Sequence, residues 1–272
     1  MTFDAKEISV ASGQPFELYE FNHGINYYRY TTLPHAVDYL NNRFAPYPLS
    51  RQNIHLTKEF RKSQVQITAP KDFKVAELFK VAMPSKPVNV KIFKKHQNDT
   101  EVIVEWVGRV MDAKWTQFDV TITCESIYTV LQNNLRIRHY SYSCPHVLYG
   151  SECGLDENNF MDNIVIDSVS GNVITSAQFT NRANGYYTGG FVRWLNNENV
   201  ETTRFITSHS GDTITLTQQI PGLIAGYEIK IYAGCKRTMD DCYYKFGNLD
   251  NFGGFPFLPG LNPFTSSSSI YG

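Results

Sequence analysis

The stretch that decides the fold reads VNVKIF over residues 88–93. Val88, Val90 and Ile92 alternate with Asn89 and Lys91. This period of two, carried by β-branched residues, is typical of a strand with one buried face. The same pattern predicts further antiparallel strands at residues 26–30, 63–68, 101–107 and 118–123. The N-terminal half is therefore predicted to be a β-domain.

Two other features complete the predicted organisation. A short helix is expected at residues 72–81, where Val75, Leu78 and Phe79 share one face and Pro84 follows. Between about residues 159 and 232 a second group of alternating segments, separated by turn residues, is typical of a small inserted β-barrel. Its predicted strands are 163–169, 189–194, 201–206, 213–216 and 228–232. The predicted fold class is mainly β.

Composition and charge exclude several functions. The 272 residues carry 25 Lys and Arg against 26 Asp and Glu, a net charge of −1, which gives no basis for general binding to nucleic acid. Aromatic residues make up 14% and charged residues only 19%, which indicates extensive buried contact and an oligomer. The N-terminus has no apolar signal segment and no run approaches a membrane span of about 20 apolar residues. We expect the protein in the cytoplasm, or released without secretion.

Four of the five cysteines form two pairs that flank the inserted segment. Cys144 and Cys153 are nine residues apart, and Cys235 and Cys242 are seven apart. The ends of a small barrel lie near one another, so the pairs can meet. Converging thiolates suit an iron–sulfur cluster or a tetrahedral zinc ion. The wide spacing and Pro145 favour the cluster, and the alternatives are zinc and unligated thiols.

The other residues that could carry chemistry are predicted to have structural roles. Cys124 lies in an alternating strand and is predicted to be a buried apolar residue. His146 is more consistent with a structural histidine than with a partner of a cluster sulfur, and Asp240 and Asp241 with a turn than with a catalytic carboxylate pair. Residues 185–190 are glycine-rich but lack the Lys-Ser/Thr of a phosphate loop. No dinucleotide motif supports a redox enzyme, and no enzymatic activity is predicted.

The cysteine-containing segments resemble the lambda-type tail tip proteins of long-tailed bacteriophages and the related hub proteins of gene transfer agents. The stretches that carry this resemblance are TCES at 123–126, YS at 140–141, CPHVLY at 144–149, CG at 153–154, GCKRTMDDC at 234–242, FGN at 246–248 and FGGFP at 252–256. Residues 46–70 and 79–93 are similar to the family's N-terminal barrel by pattern alone.

The resemblance implies a [4Fe-4S] cluster ligated by Cys144, Cys153, Cys235 and Cys242, with no ligand role for Cys124. It also implies a tail-tube-like β-barrel at residues 1–139, a cluster domain at 140–264 that contains the inserted barrel, and a tail at 265–272. The protein would be a virion component, a homotrimeric baseplate hub at the tail tip, assembled in the host cytoplasm. It would line a DNA conduit and contact the distal tail protein and the central tip or fibre protein, with the tape-measure protein as a further candidate partner.

The alternative function is a zinc-stabilised tip module that binds a receptor or a glycan. Trp194, Tyr186 and Tyr187 are its candidate platforms for stacking on sugars, whereas in a hub these rings are expected to pack in the barrel or at subunit contacts. Residues 246–264 contain five Phe among Gly and Pro, so we expect an ordered loop whose rings pack on its own domain or on a partner. Its segment 252–256 is expected to cover the cysteines and exclude water.

Overall fold

The computed structural model describes residues 3–8, 13–54, 64–97, 99–132, 140–219 and 222–258. The described chain is mainly β, which confirms the predicted fold class at that level. It forms two compact units. Unit 1 consists of Met1–Asn134, Leu195–Thr202 and Ile220–Gly222, and unit 2 of Leu135–Trp194, Thr203–Gln219 and Leu223–Gly272. The domain limits inferred from sequence stay a prediction, and the tail at 265–272 lies outside the described residues.

Unit 1 contains a nine-stranded sheet with two short helices. The helices are α1 (Phe3–Ile8) and α2 (Lys74–Glu77), and a 3₁₀ turn, Ile127–Gln132, follows the last strand. The strands are β1 (Pro15–His23), β2 (Asn26–Thr31), β3 (Val37–Tyr39), β4 (Asn42–Pro46), β5 (Ser50–Arg51), β6 (Gln64–Pro70), β7 (Val88–His96), β8 (Val102–Trp115) and β9 (Asp119–Ser126).

The sheet of unit 1 is strongly curled. Its strand order is β3-β4-β2-β1-β7-β8-β9-β6-β5, so β4 and β5 lie seven strand spacings apart. In a flat sheet this distance is about 34 Å, because neighbouring strands are about 4.8 Å apart. Three residues, 47–49, join these strands and span about 14 Å when extended. The sheet must curl to bring its ends together, and the predicted N-terminal barrel is found as a half-barrel.

The concave face of this sheet holds the core of unit 1. The alternation seen in the sequence places Val90 and Ile92 of β7 and Ile122 of β9 inside, all fully buried. Phe73, immediately before α2, packs against the ring of Phe21 at 5.7 Å between centroids. Burial of such side chains stabilises the unit by about 1.5–3 kcal/mol each.

Unit 2 contains nearly all of a seven-stranded sheet. Its strands are β10 (Met161–Val165), β11 (Ser168–Ser170), β12 (Val173–Thr175), β13 (Phe191–Leu195), β14 (Glu201–Ser210), β15 (Thr213–Leu216) and β16 (Glu228–Tyr232). Single helical turns are Glu157–Phe160, Ala177–Asn181, Asp241–Lys245 and Leu249–Asn251.

This second sheet is curled for the same reason. Its order, β10-β16-β13-β14-β15-β12-β11, places β10 and β11 at opposite ends, about 29 Å apart if the sheet were flat. Only Ile166 and Asp167 connect them, a span of about 10 Å. The sheet therefore curls and brings its two end strands, which follow one another along the chain, close together in space, as expected for a barrel-like insert.

Two predicted elements differ from the structure. The helix expected at 72–81 is only four residues long, because after Glu77 the hydrogen bonds tighten to an i→i−3 pattern, with Lys80 N–H donating to Glu77 C=O. The strand expected at 163–169 divides, because Ile166 N–H donates to Tyr227 while Asp167 N–H donates to Thr175 on another strand. Of the strand predicted at 63–68, residue 63 lies outside the described residues.

Candidate metal centre

The structure brings the four predicted ligands together in unit 2. Cys144 and Cys153 lie in the loop that precedes β10, and Cys235 lies three residues after β16 ends. Cys242 is in the single turn of π-helix that follows. All four line one cavity of about 620 Å³. Ligation, and the meeting of the four sulfurs at one cofactor, stay predictions.

Backbone hydrogen bonds connect the two cysteine segments. Cys144 N–H donates to the carbonyl of Arg237 at 2.9 Å, which ties the first pair to the second. Within the first segment, Cys153 N–H donates to Gly150 C=O at 3.0 Å and closes a turn. Tyr149 is left-handed, at φ 60°, in the preceding turn, which Gly150 N–H closes by donating to Val147 C=O at 2.9 Å. The phenol of Tyr149 donates to Ala233 C=O at 2.7 Å, next to the second segment.

A close crossing of two backbones positions Cys235. A β-carbon on Gly234 would lie 1.9 Å from the carbonyl oxygen of Thr188, and one on Gly190 would lie 2.1 Å from that of Tyr232. No side chain fits at either position. The glycine-rich residues 185–190 therefore serve as a turn whose backbone packs directly on the segment before Cys235, in agreement with the prediction that they are not a phosphate loop.

Lys245 joins the same two segments. Its Nζ donates to the carbonyls of Tyr186 and Gly234, both at 2.6 Å, and lies 4.2 Å from the centre of the Tyr186 ring. Burial lowers the pKa of this amine, while Asp241 and Cys235 act in the opposite direction. A fixed positive charge thus lies beside the cysteine segment, and the sequence analysis did not single it out.

Three of the four sulfurs lie near N–H groups. Arg237 N–H donates to Cys235 Sγ at 3.3 Å, and Gly253 N–H lies 3.5 Å from Cys144 Sγ. The Asn248 side-chain amide lies 3.9 Å from Cys153 Sγ. Such donors stabilise negative charge on sulfur and are among the features that tune iron–sulfur centres.

Burial keeps two of the thiols protonated in the metal-free chain. It raises the pKa of Cys242 to about 11, with smaller contributions from the neighbouring thiols, and it raises the pKa of Cys235. Metal binding would have to displace these protons, because the thiolate is the ligand.

The residues fit an iron–sulfur cluster by donor chemistry. In the described part of the chain, no three His, Cys, Asp or Glu side chains are arranged to hold a metal ion. A cluster binds each thiolate through its own iron, so four sulfurs can surround it without converging on one point. Four thiols around a cavity, with N–H groups directed at three of them, match that requirement.

His146 has the structural role predicted for it. Its Nδ1–H donates to the carbonyl of Asn251 at 3.1 Å, and its Nε2 is 3.9 Å from a carboxylate oxygen of Glu152. The ring packs on Gly253, where an added β-carbon would lie 2.4 Å from Nε2. Phe252 lines the cavity and Gly253 lies beside Cys144, while the exclusion of water by residues 252–256 stays a prediction.

Gly253→Ala is expected to weaken metal retention at Cys144. The new methyl group must displace either the His146 ring or the Gly253 N–H that faces Cys144 Sγ, and loss of such a supporting contact typically lowers metal affinity about tenfold or more. Iron retained after dialysis against a chelator measures the effect. Gly247→Ala is the control, since its φ is +59° but no atom lies within 4 Å of an added β-carbon. Equal retention in both variants would contradict the expectation.

Several sequence-based assignments near the site can be compared with the structure. Asp241 accepts a hydrogen bond from Lys236 N–H at 2.8 Å, so its predicted turn role is confirmed. Trp194 and Tyr187 are buried at 4% and 1% exposure, which agrees with the packing expected of them in a hub and not with a role as sugar-stacking platforms. Tyr186 is half-buried beneath Lys245.

The expected burial of the Phe rings of residues 246–264 on their own domain holds for only part of the set, and burial on a partner stays a prediction. Phe246 is buried and packs on Phe160, but Phe255 and Phe257 are 46% and 89% exposed. The turn at residues 255–258 directs these rings away from the core. Phe264 lies outside the described residues.

Comparisons with known proteins give two findings. Residues 185–262 match the family model described as "Phage conserved hypothetical protein BR0599". The fold is similar to that of a chain in the structure titled "Virion of native gene transfer agent (GTA) particle". The TM-score is 0.83, and the match covers 100% of this chain and 97% of that one at 16% identity. No curated protein matches in sequence.

These matches show a fold shared with a chain of a gene transfer agent virion and a C-terminal segment shared with a phage protein family. The matched residues 185–262 include Cys235 and Cys242 but not the first cysteine pair. Among the described helices, none has the length and apolar character needed to span a bilayer.

Proposed function

We propose that this protein is a structural component of a phage-type tail, a hub at the tail tip stabilised by a [4Fe-4S] cluster. The observation that carries the proposal is the fold similarity, which extends over the whole chain and nearly all of a chain in a gene transfer agent virion. The four cysteines around one cavity supply the second line of support. The role is non-enzymatic: the chain provides surfaces for neighbouring virion proteins.

The cluster would act as a cross-link. Cys144, Cys153, Cys235 and Cys242 would each hold one iron, and the group would supply four iron–thiolate bonds. These bonds would join segments about 80 residues apart, which in a chain-entropy estimate stabilises the fold by about 4 kcal/mol. Unit 2 would therefore be held together at the point where its first and last segments meet.

As a hub, the protein would form a ring, with three copies as the expected number, around the path of the DNA. The near-zero net charge suits such a conduit, because a strongly basic lining would retain the DNA. The expected neighbours are the distal tail protein on one side and the central tip or fibre protein on the other, with contact to the tape-measure protein. The zinc-stabilised glycan module loses its support, since Trp194 and Tyr187 are buried.

Assembly in a particle-producing host tests the role. Deletion of the gene is expected to stop tail assembly at the tip, and an epitope-tagged copy is expected to restore it and to localise to one end of the tail in labelled electron micrographs. Wild-type particle numbers in the deletion strain, or label along the whole tail, would contradict the proposal.

Anaerobic purification tests the cofactor separately. We expect broad visible absorption with about four irons and four sulfides per chain, as in other Cys₄ clusters. A colourless protein with about one zinc per chain would contradict the cluster while leaving the structural role in the tail to the assembly experiment.

A further inference from the structure

Asn248 contacts both cysteine pairs. Its side-chain Nδ2 donates to the carbonyl of Cys153 at 2.7 Å and lies 3.9 Å from the sulfur of the same residue. Its backbone N–H donates to the carbonyl of Cys242 at 2.9 Å, and its own carbonyl accepts from Cys242 Sγ at 3.0 Å. One residue thus joins one cysteine of the first pair to one of the second, and its contact with Cys153 spans 95 positions of sequence.

The orientation of the Asn248 amide is itself held in place. Its Oδ1 accepts a hydrogen bond from the side chain of Asn251 at 2.7 Å, which directs Nδ2 toward Cys153. Asn251 in turn donates its N–H to the Asn248 carbonyl at 3.2 Å and accepts from His146. Both hydrogens and the oxygen of this amide have defined directions, so a carboxylate or a methyl group cannot replace it without loss of contacts.

We propose that Asn248 is a positioning residue that sets the spacing between the two cysteine pairs and supplies an N–H donor to the Cys153 sulfur. The inference rests on the proposed role of these cysteines as metal ligands. Residues that orient ligands in this way typically account for a factor of about 10–100 in metal affinity. The donor also stabilises charge on the sulfur, which raises the reduction potential of a bound cluster.

The decisive variant is Asn248→Asp, which keeps the size of the side chain but replaces the donor with a carboxylate. Asn172→Ala is the matched control, because Asn172 Nδ2 also donates to a backbone carbonyl in unit 2, that of Leu216 at 2.9 Å, with no contact to a cysteine. Metal-free, reduced protein is reconstituted anaerobically with ferrous iron and sulfide, and loss of the visible absorption is followed as a chelator is added. We expect N248D to lose half of its iron at a chelator concentration about tenfold to hundredfold lower than wild type does, and N172A to retain iron as wild type does.

Two further readouts separate positioning from general stability. The midpoint reduction potential of the cluster in anaerobically purified N248D is expected to be more negative than in wild type, whereas N172A leaves it unchanged. The melting midpoint of the metal-free chain is expected to fall no further in N248D than in N172A. If N248D is insoluble, Asn248→Ser, which keeps a smaller donor, replaces it and is expected to show an intermediate affinity.

Each outcome decides the inference. Equal iron retention in wild type and N248D would overturn it, as would a weaker retention that is matched by a lower metal-free melting midpoint than that of N172A. The expected order of iron retention, together with normal tail assembly in the deletion strain, would refute the proposed hub and support the role of Asn248. Wild-type protein that holds no cluster after purification or reconstitution would overturn both the proposed cluster and the inference.

Discussion

Gly234→Ala is expected to prevent unit 2 from folding. The added methyl group would lie 1.9 Å from the Thr188 carbonyl oxygen and 2.5 Å from the Gly190 nitrogen, and both obstacles are backbone atoms. Backbone cannot give way as the end of a flexible side chain can, so the crossing that positions Cys235 must open. We expect the free energy of unfolding to fall by more than about 4 kcal/mol, a loss that few single substitutions cause. Because domains are stable by only about 5–15 kcal/mol, little folded unit 2 would remain.

Urea unfolding of the full-length chain, followed by circular dichroism, measures this loss. Gly171→Ala is the control for the change of residue type: Gly171 has φ +62° and nothing lies within 4 Å of an added β-carbon. Gly171→Ala is expected to lower the free energy of unfolding by only about 1–2 kcal/mol, which is the cost of placing an alanine in the left-handed conformation. If G234A unfolds at the same urea concentration as G171A, the two backbones do not cross as closely as described.

Replacement of any one of Cys144, Cys153, Cys235 or Cys242 by Ser is expected to abolish the bound chromophore and to reduce assembly into tails. A hydroxyl group is a poor ligand for iron, and the loss of one bond opens the link between the two cysteine segments. The effect is measured as iron and sulfide per chain after anaerobic purification, together with the visible spectrum. Full iron content in any of the four variants would remove that residue from the ligand set.

Cys124→Ala is the matched control for these variants. Cys124 is fully buried in the core of unit 1, where burial raises the pKa of its thiol, so the group is unreactive. Truncation to Ala removes the sulfur and leaves a small cavity, which is expected to lower the free energy of unfolding by about 1–2 kcal/mol. The iron content is expected to stay at the wild-type value. If C124A lost iron as completely as C144S, the assignment of four ligands would be wrong.

The strands were predictable where alternation alone identifies them. Residues 88–93, 213–216 and 228–232 lie in β7, β15 and β16, because one-sided burial requires a period of two and local sequence records it. β5 was not predicted, since its two residues pair with β6 and carry no pattern of their own. The helix at 72–81 was predicted too long, because the apolar spacing of Leu78 and Phe79 also suits tighter turns.

The candidate site was predictable only in its ligand types. Cysteine spacing indicated that two pairs would meet, but the N–H groups that face the sulfurs belong to the backbone of Arg237 and Gly253 and to the side chain of Asn248. Nearly every residue carries a backbone N–H, so sequence cannot show which one will face a sulfur. The FGN stretch at 246–248 carried a signal for Asn248, a polar residue held within a recurring motif, but no indication of its partners.

The burial of individual aromatic rings was also not predictable from the sequence. Trp194 and Tyr187 were candidates either for a sugar-binding surface or for the barrel interior and are buried, whereas Phe255 and Phe257 were expected to pack on their own domain or on a partner and are exposed on this chain. An aromatic ring is compatible with both environments, and the direction of the chain at that point decides between them.

By itself, the sequence determined the strands that have a clear period of two, that Cys124 is a core residue and that four other cysteines share one region. These properties depend on periodicity, residue type and spacing, which are local or nearly so. Only the tertiary structure decided that each sheet curls, that Gly190 and Gly234 allow two backbones to cross, and that Lys245 and Asn248 join segments remote in sequence. These contacts depend on the path of the chain in space, and the identity of each residue does not show which distant residue it will contact.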